Sequence, residues 1–132
     1  MLQVIQEILK NPKDTTEIQL VFCNKCEDDI LLKSKLDQLA LKHANFHVTY
    51  VLSHPYILPP APRYVSGPRG QINSEIVSKH LPPPSADTMI LVCGPPGFMA
   101  AVSGDKTPDY KQGPVSGILK ELHYTEDMVY KF

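Results

Sequence analysis

The sequence has no apolar run approaching the ~20 residues that a membrane-spanning helix needs. No membrane segment is expected in this chain. An excess of one charge is also missing. Thirteen Lys+Arg stand against fourteen Asp+Glu, for a formal net charge of −1. That balance removes the electrostatic reason to expect nucleic acid or a strongly basic membrane surface as partner. Cysteine is scarce and odd in number, three in 132 residues. The first ten residues contain Glu7 and lack an A-x-A-like cleavage site, so they do not read as a secretory leader. Few cysteines without a leader argue against a disulfide framework and for a reducing compartment. There is no internal repeat. Proline is abundant, thirteen residues, and clustered.

The chain is organised around Thr88 to Met99, Thr-Met-Ile-Leu-Val-Cys-Gly-Pro-Pro-Gly-Phe-Met. Met89 to Val92 is a short continuous apolar run, the pattern of a strand buried on both faces of a parallel sheet. Gly94-Pro95-Pro96 stops it, because prolines remove ladder donors and glycine permits a sharp turn. Phe98 to Val102 then starts a helix. The order strand, cysteine, tight turn, helix sets a thiol and backbone groups at the carboxyl end of a strand. In open α/β sheets ligands bind at that edge.

The remaining chain alternates helices and strands. Met1 to Lys10 has apolar residues at helical spacing and ends at Asn11-Pro12. Glu17 to Asn24 reads as a strand. Asp28 to Lys42 reads as one amphipathic helix, with Ile30, Leu31, Leu36, Leu39 and Ala40 on its apolar side. Phe46 to Leu52 is the next strand. Ser53 to Gly70 carries five prolines and reads as a long, partly extended loop. Ile72 to His80 is a short helix before Pro82-Pro83-Pro84. Ser103 to Gly113 is a polar loop, Val115 to Leu122 a helix, and Met128 to Phe132 a last strand. Alternation of this kind predicts βαβ units and a mostly parallel sheet, an α/β domain in three layers.

Cys93-Gly94-Pro95-Pro96, with an aromatic as last residue (Phe132), resembles the nicotinamide-binding lobe of the ferredoxin-reductase-like flavoproteins. Within them it is nearest to the NADH–cytochrome b5 reductase family. The tail from Leu119 to Phe132 is similar to the mitochondrial-type branch. The resemblance covers nearly the whole chain and weakens from Pro55 to Gln71. It implies an NADH-binding lobe spanning residues 1–132, part of an oxidoreductase that passes electrons from NADH through FAD to cytochrome b5 or a similar haem protein. It implies mitochondrial localisation, with endoplasmic reticulum or cytoplasm as alternatives. The family's flavin-binding domain, first central strand and Gly-Thr-Gly-Ile-Thr-Pro-type phosphate turn have no counterpart here. The lobe is therefore expected to be N-terminally truncated and its sheet incomplete at the first strand.

The resemblance assigns Cys93 to positioning the nicotinamide and Phe132 to the neighbourhood of the flavin–nicotinamide junction. Gly94, Pro95, Pro96 and Met99 join them as cofactor-binding candidates. By itself Cys93 reads equally as a buried structural thiol, since free cysteine is among the most buried residues. Phe132 reads equally as core packing or a frayed end. Asp29, with Ile30-Leu31-Leu32, matches the family's acid that accepts hydrogen bonds from the adenosine ribose and repels a 2′-phosphate. Glu27, Asp28 and Asp29 also read as acids favourable at a helix N-terminus. Phe22 and Asn24 end the preceding strand and could flank the adenosine, or serve as a core aromatic and a turn residue. Lys111, Lys120 and Lys131 are exposed candidates for docking an acidic electron-transfer partner.

Two other readings stand beside this one. Cys23-Asn24-Lys25-Cys26 has the spacing and placement of a thiol redox pair. Zinc is not expected, because five scattered histidines and no second C-x-x-C leave a four-ligand site incomplete. A non-catalytic remnant that has lost nucleotide binding is the other alternative. If the sheet lacks its middle strand, buried ladder groups go unpaired. The expected outcome is a broad, weakly cooperative thermal transition for the purified chain, measured by calorimetry. A sharp melt with strong amide protection of the strands would reject it.

Overall fold

The computed structural model describes residues 1–54 and 67–132, so most of the proline-rich loop, residues 55–66, lies outside the described residues. The elements run α1 (Leu2–Lys10), β1 (Ile18–Asn24), α2 (Lys33–Lys42), β2 (Phe46–Leu52), α3 (Ser74–His80), β3 (Ile90–Val92), α4 (Pro96–Val102), α5 (Gly117–Glu121) and β4 (Val129–Lys131). All strand pairing is parallel, β1 with β2 and β3 with β4. The class is α/β, as the alternation predicts. Two compact units divide the chain, Leu2–Ile72 and Asn73–Phe132, the latter with Met1.

In the first unit β1 and β2 pair along their full length, from Ile18 opposite Phe46 to Asn24 opposite Leu52. Parallel strands need a long crossover, and α2 lies in it. A core of Ile5, Ile30, Leu36, Phe46, Tyr50 and Leu52 forms, with Leu2, Leu9, Ile18 and Phe22 packed against it. Phe46 is 1 % exposed. Burying such a side chain contributes about 1.5–3 kcal/mol. Tyr50 donates its hydroxyl to Asp37 Oδ1 at 2.8 Å, and Lys33 pairs with Asp37 Oδ2 at 2.8 Å, which fastens α2 to β2. Burial alone would raise the Asp37 carboxyl, yet Lys33 and Tyr50 hold it below its ordinary value.

The single helix expected over Asp28–Lys42 is two elements. Glu27–Asp29 forms a 3₁₀ turn, Ile30 is extended, and Leu32 takes a left-handed conformation (φ 59°) before α2 begins. The reason lies in the spacing. Ile30 and Leu36 are six residues apart, about 120° around a continuous helix. Both are buried, so the chain breaks to bring each inward. Leu31, expected on the apolar side, is 74 % exposed. Beyond β2, Pro68 and Gly70 exchange backbone hydrogen bonds with Leu52, so this end of the proline-rich loop is extended as expected.

In the second unit Asn73 caps α3, its Oδ1 accepting from Ile76 N–H at 2.9 Å. Ser74 Oγ donates to Glu121 Oε2 and links α3 to α5. Tyr124, buried below α5, donates its hydroxyl to the Pro82 carbonyl before β3. β3 is shorter than Met89–Val92. Ile90 and Val92 are buried, Leu91 is half-buried, and Met89 is 59 % exposed, so its two faces are not equally covered as expected. Met128 belongs to a 3₁₀ turn rather than to β4. Val115 precedes the helix assigned to it, because Gly117 opens α5 with φ +61°.

Gly117 meets the backbone of α4 so closely that a Cβ would lie 2.2 Å from the Ala101 carbonyl oxygen. Gly97 in α4 has no neighbour within 4 Å of such a Cβ. Gly117→Ala is therefore expected to destabilise by about 2 kcal/mol or more, from clash and strain together. Gly97→Ala should stabilise by about 0.5–1 kcal/mol through the unfolded chain. Denaturant titration of the pair checks both signs.

Candidate functional site

The register Val92 opposite Lys131 decides what meets at the end of β3. Phe132 N–H donates to the Val92 carbonyl at 2.9 Å, which carries the ladder one step beyond β4. The carboxyl ends of both strands therefore coincide, with Cys93 following Val92 on one and Phe132 closing the other. Cys93 is exposed, so the buried structural reading of this thiol does not hold. Phe132 is 52 % exposed and packs edge-on against Tyr130, ring centroids 5.1 Å apart.

The turn after Cys93 is built by its sequence. Pro95 is extended at the helix N-cap and Pro96 takes the first helical turn, where its missing N–H costs nothing. Phe98 and Met99 N–H groups both donate to the Pro95 carbonyl. Gly94 lies close against the Phe98 side chain, which a Cβ would meet at 2.5 Å. An open cleft of about 490 Å³ lies here, lined by Gly94, Pro96, Met99 and Phe132 together with Asp105, Lys106, Thr107, Pro108 and Tyr110. The sequence reading thus finds one wall of the cleft through Gly94, Pro96, Met99 and Phe132, while Cys93 and Pro95 stand beside it without lining it, and it misses the other wall. The second wall is a polar loop whose residue types carry no pattern of their own. Its one local signal is Gly113, which sits at φ +64° close to Thr107.

The other candidates gather at the carboxyl end of β1. Phe22 packs against the core of its unit, which is the structural role open to it. Asn24 Nδ2 is buried and has no hydrogen-bond partner among the described residues. An amide donor in that state seeks an acceptor, and a ligand at the strand end could supply one. Asp29 is exposed, but its Oδ2 accepts from the Cys26 N–H at 3.3 Å and from the Cys26 thiol at 3.1 Å. It closes the 3₁₀ turn as a cap, which is the acid-at-a-helix-start reading made specific.

All three cysteines are free. Burial pushes the Cys23 thiol up to about 11. The hydrogen bond to Asp29 raises Cys26 as well. Redox pairs work with lowered thiols, so both shifts run against a Cys23–Cys26 redox role. Lys131 is not an exposed docking lysine: it is 1 % exposed, while Lys111 and Lys120 are exposed. Among the described residues no group of three His, Cys, Asp or Glu sits together as metal ligands, and no helix is long and apolar enough to cross a membrane.

Comparison with known proteins now bears on this edge. Residues 1–104 match the family of oxidoreductase NAD-binding domains. The chain belongs to that family. The chain is 51 % identical over its 132 residues to an NADH-cytochrome b5 reductase-like protein of Arabidopsis thaliana, covering 38 % of that protein. It is 42 % identical to NADH-cytochrome b5 reductase 2 of Meyerozyma guilliermondii, covering 43 % of it. The chain thus spans about two fifths of the relatives it matches. Among solved structures, the cytochrome b5 reductase domain of Ulva prolifera nitrate reductase matches 98 % of the chain, with a TM-score of 0.74 and 27 % identity. The chain covers 42 % of that structure. The NAD-binding domain corresponds to the NADH-binding part of these reductases, within a ferredoxin-reductase-like fold.

The thiols of the NAD-binding domain should differ in reactivity. The thiolate is the attacking species, so Cys23, raised to about 11, stays protonated at pH 8. Exposed Cys93 should be alkylated first and Cys23 last, with Cys23 labelling accelerating as pH rises toward 11. Peptide mass spectrometry of a timed maleimide reaction measures this. Equal rates for Cys23 and Cys93 at pH 8 would contradict it.

Proposed function

We propose that this chain is the NADH-binding lobe, acting as one domain over residues 1–132, of a flavoprotein that carries electrons from NADH through FAD to cytochrome b5. The observation that carries the reading is the pairing of β3 with β4, which aligns Cys93 with Phe132 beside an open cleft. The names of the relatives support the electron acceptor. The flavin-binding domain would be a partner outside these residues. The chemistry itself, hydride release and one-electron delivery, belongs to NADH and FAD.

The chain's own residues bind and orient. Gly94 exposes backbone on which a flat ring can settle, and rigid Pro95 and Pro96 keep the turn from closing over it. Cys93 offers a small polarisable thiol at the nicotinamide end, and Phe132 an aromatic wall. Within the first unit, at the carboxyl end of β1, Asn24 has a free amide to offer an adenosine. Asp29 accepts from the ribose and repels a 2′-phosphate. The similarity of the tail to the mitochondrial-type branch supports a mitochondrial location, and subcellular fractionation tests it.

Calorimetric titration of the purified chain with NADH, and with NADPH as control, tests the reading. NADH is expected to bind in preference to NADPH. Asp29→Ala should weaken NADH roughly tenfold, the size of one or two lost hydrogen bonds, and strengthen NADPH, whose 2′-phosphate is no longer repelled. No binding in a folded sample would reject the reading in favour of the non-catalytic remnant.

A further inference from the structure

Lys131 is buried, 1 % exposed, at the end of the last strand. A buried ammonium is costly unless its protons are taken up. Here Nζ donates to the Pro114 carbonyl at 2.7 Å and to the Asp105 carbonyl at 3.3 Å. Those two residues are the two ends of the loop that forms the second wall of the cleft. One cation therefore closes the base of that loop. Inside the loop Thr107 N–H donates to the Lys111 carbonyl and Tyr110 N–H to the Thr107 carbonyl, so the tip is a small folded unit.

The main chain of Lys131 is held as firmly as its side chain. Gln112 Oε1 accepts from Lys131 N–H at 2.6 Å, and Gln112 Nε2 donates to the Lys131 carbonyl at 3.1 Å. A side-chain amide thus pairs with β4 as a neighbouring strand would. It does so one residue before Phe132. Burial lowers the Lys131 ammonium, as expected for a charge held by carbonyl dipoles rather than by a contacting carboxylate.

We propose that Lys131 and Gln112 are positioning residues for dinucleotide binding: they clamp the Asp105–Pro114 loop to β4 and so fix both walls of the cleft, the loop and Phe132, around the nicotinamide end. The inference rests on the NADH reading above. Neither side chain lines the cleft. Their effect on binding passes through Phe132 and the loop.

The test uses the full 132-residue chain and two variants, Lys131→Met, which keeps the length without the donors, and Gln112→Leu, which spares the buried cation should Lys131→Met fail to fold. Hydrogen exchange is read at the Thr107, Tyr110 and Phe132 amides, with the β1–β2 amides as internal control. NADH affinity is read in parallel by calorimetry. The expected result is exchange at least tenfold faster at the three amides, unchanged control amides, and NADH binding at least fivefold weaker in each folded variant. Gln112→Glu, which keeps the acceptor for Lys131 N–H, should recover part of both effects. Unchanged exchange at the three amides overturns the clamp. Faster exchange with NADH affinity equal to wild type overturns the positioning role. A wild-type chain that binds no NADH fails the functional reading first, and is seen before any variant is made.

Discussion

The hydrogen bond from Phe132 N–H to the Val92 carbonyl is the link on which the cleft depends. β3 and β4 are three residues each, so their ladder is barely longer than the minimum that registers two strands. In a parallel pair a slip of one residue exchanges the buried and exposed faces. Here Ile90, Val92, Val129 and Lys131 share the buried face, while Tyr130 and Phe132 face outward. A slip would bury Phe132 and expose the Lys131 ammonium to a different set of groups. The cost of moving that charge makes the lysine a register key as well as a clasp. A hydrophobic residue there would bury as well but would tolerate more than one register.

The candidate residues divide between two requirements that pull apart. A ligand edge needs backbone left open, whereas folding needs polar groups paired. The turn at Gly94-Pro95-Pro96 resolves this with residues that have little to satisfy. Neither proline has an N–H to leave orphaned, and the Pro95 carbonyl is taken up by Phe98 and Met99. The opposite wall resolves it differently. Two of its carbonyls, at Asp105 and Pro114, are turned onto the Lys131 ammonium, and the next residue, Val115, donates its N–H to the Glu126 carboxylate. Glu126 is held below its ordinary value by its own and the Val115 amides, so it stays charged in this role.

Much of this was legible in the sequence, and the failures have physical causes. β1 and β2 stand where their apolar runs predict, and α1 follows its helical spacing with Ile5 inward. The Cys-Gly-Pro-Pro turn is legible because its residue types forbid a strand or a mid-helix. The helix over Asp28–Lys42 was misread because Leu31 and Leu32 look like core positions, yet a buried Ile30 forces the chain out of helix before them. Lys131 was misread because lysine is rarely buried. Strand alternation does carry the signal, since Lys131 stands two residues from buried Val129 and therefore on its face. The wall from Asp105 to Tyr110 was not legible. Its position comes from the long-range bond of Asp105 to Lys131, which no local pattern encodes.

Asn24 shows how a site can be built into a strand end at the fold's expense. Its Nδ2 is buried without a partner among the described residues, at the point where β1 gives way to the 3₁₀ turn. Its backbone is fully used, the carbonyl accepting from Ser53 N–H at 3.0 Å, so the residue is fixed in place. Leaving a buried donor unmade costs about 1–3 kcal/mol. Alanine at this position would avoid that cost. A cost of that size is offset in the folded protein only by the rest of the core, and it is removed when an acceptor arrives. The same unpaired group therefore lowers the stability of the free chain, and under the function proposed above it would favour a nucleotide that brings an acceptor, an exchange between stability and function.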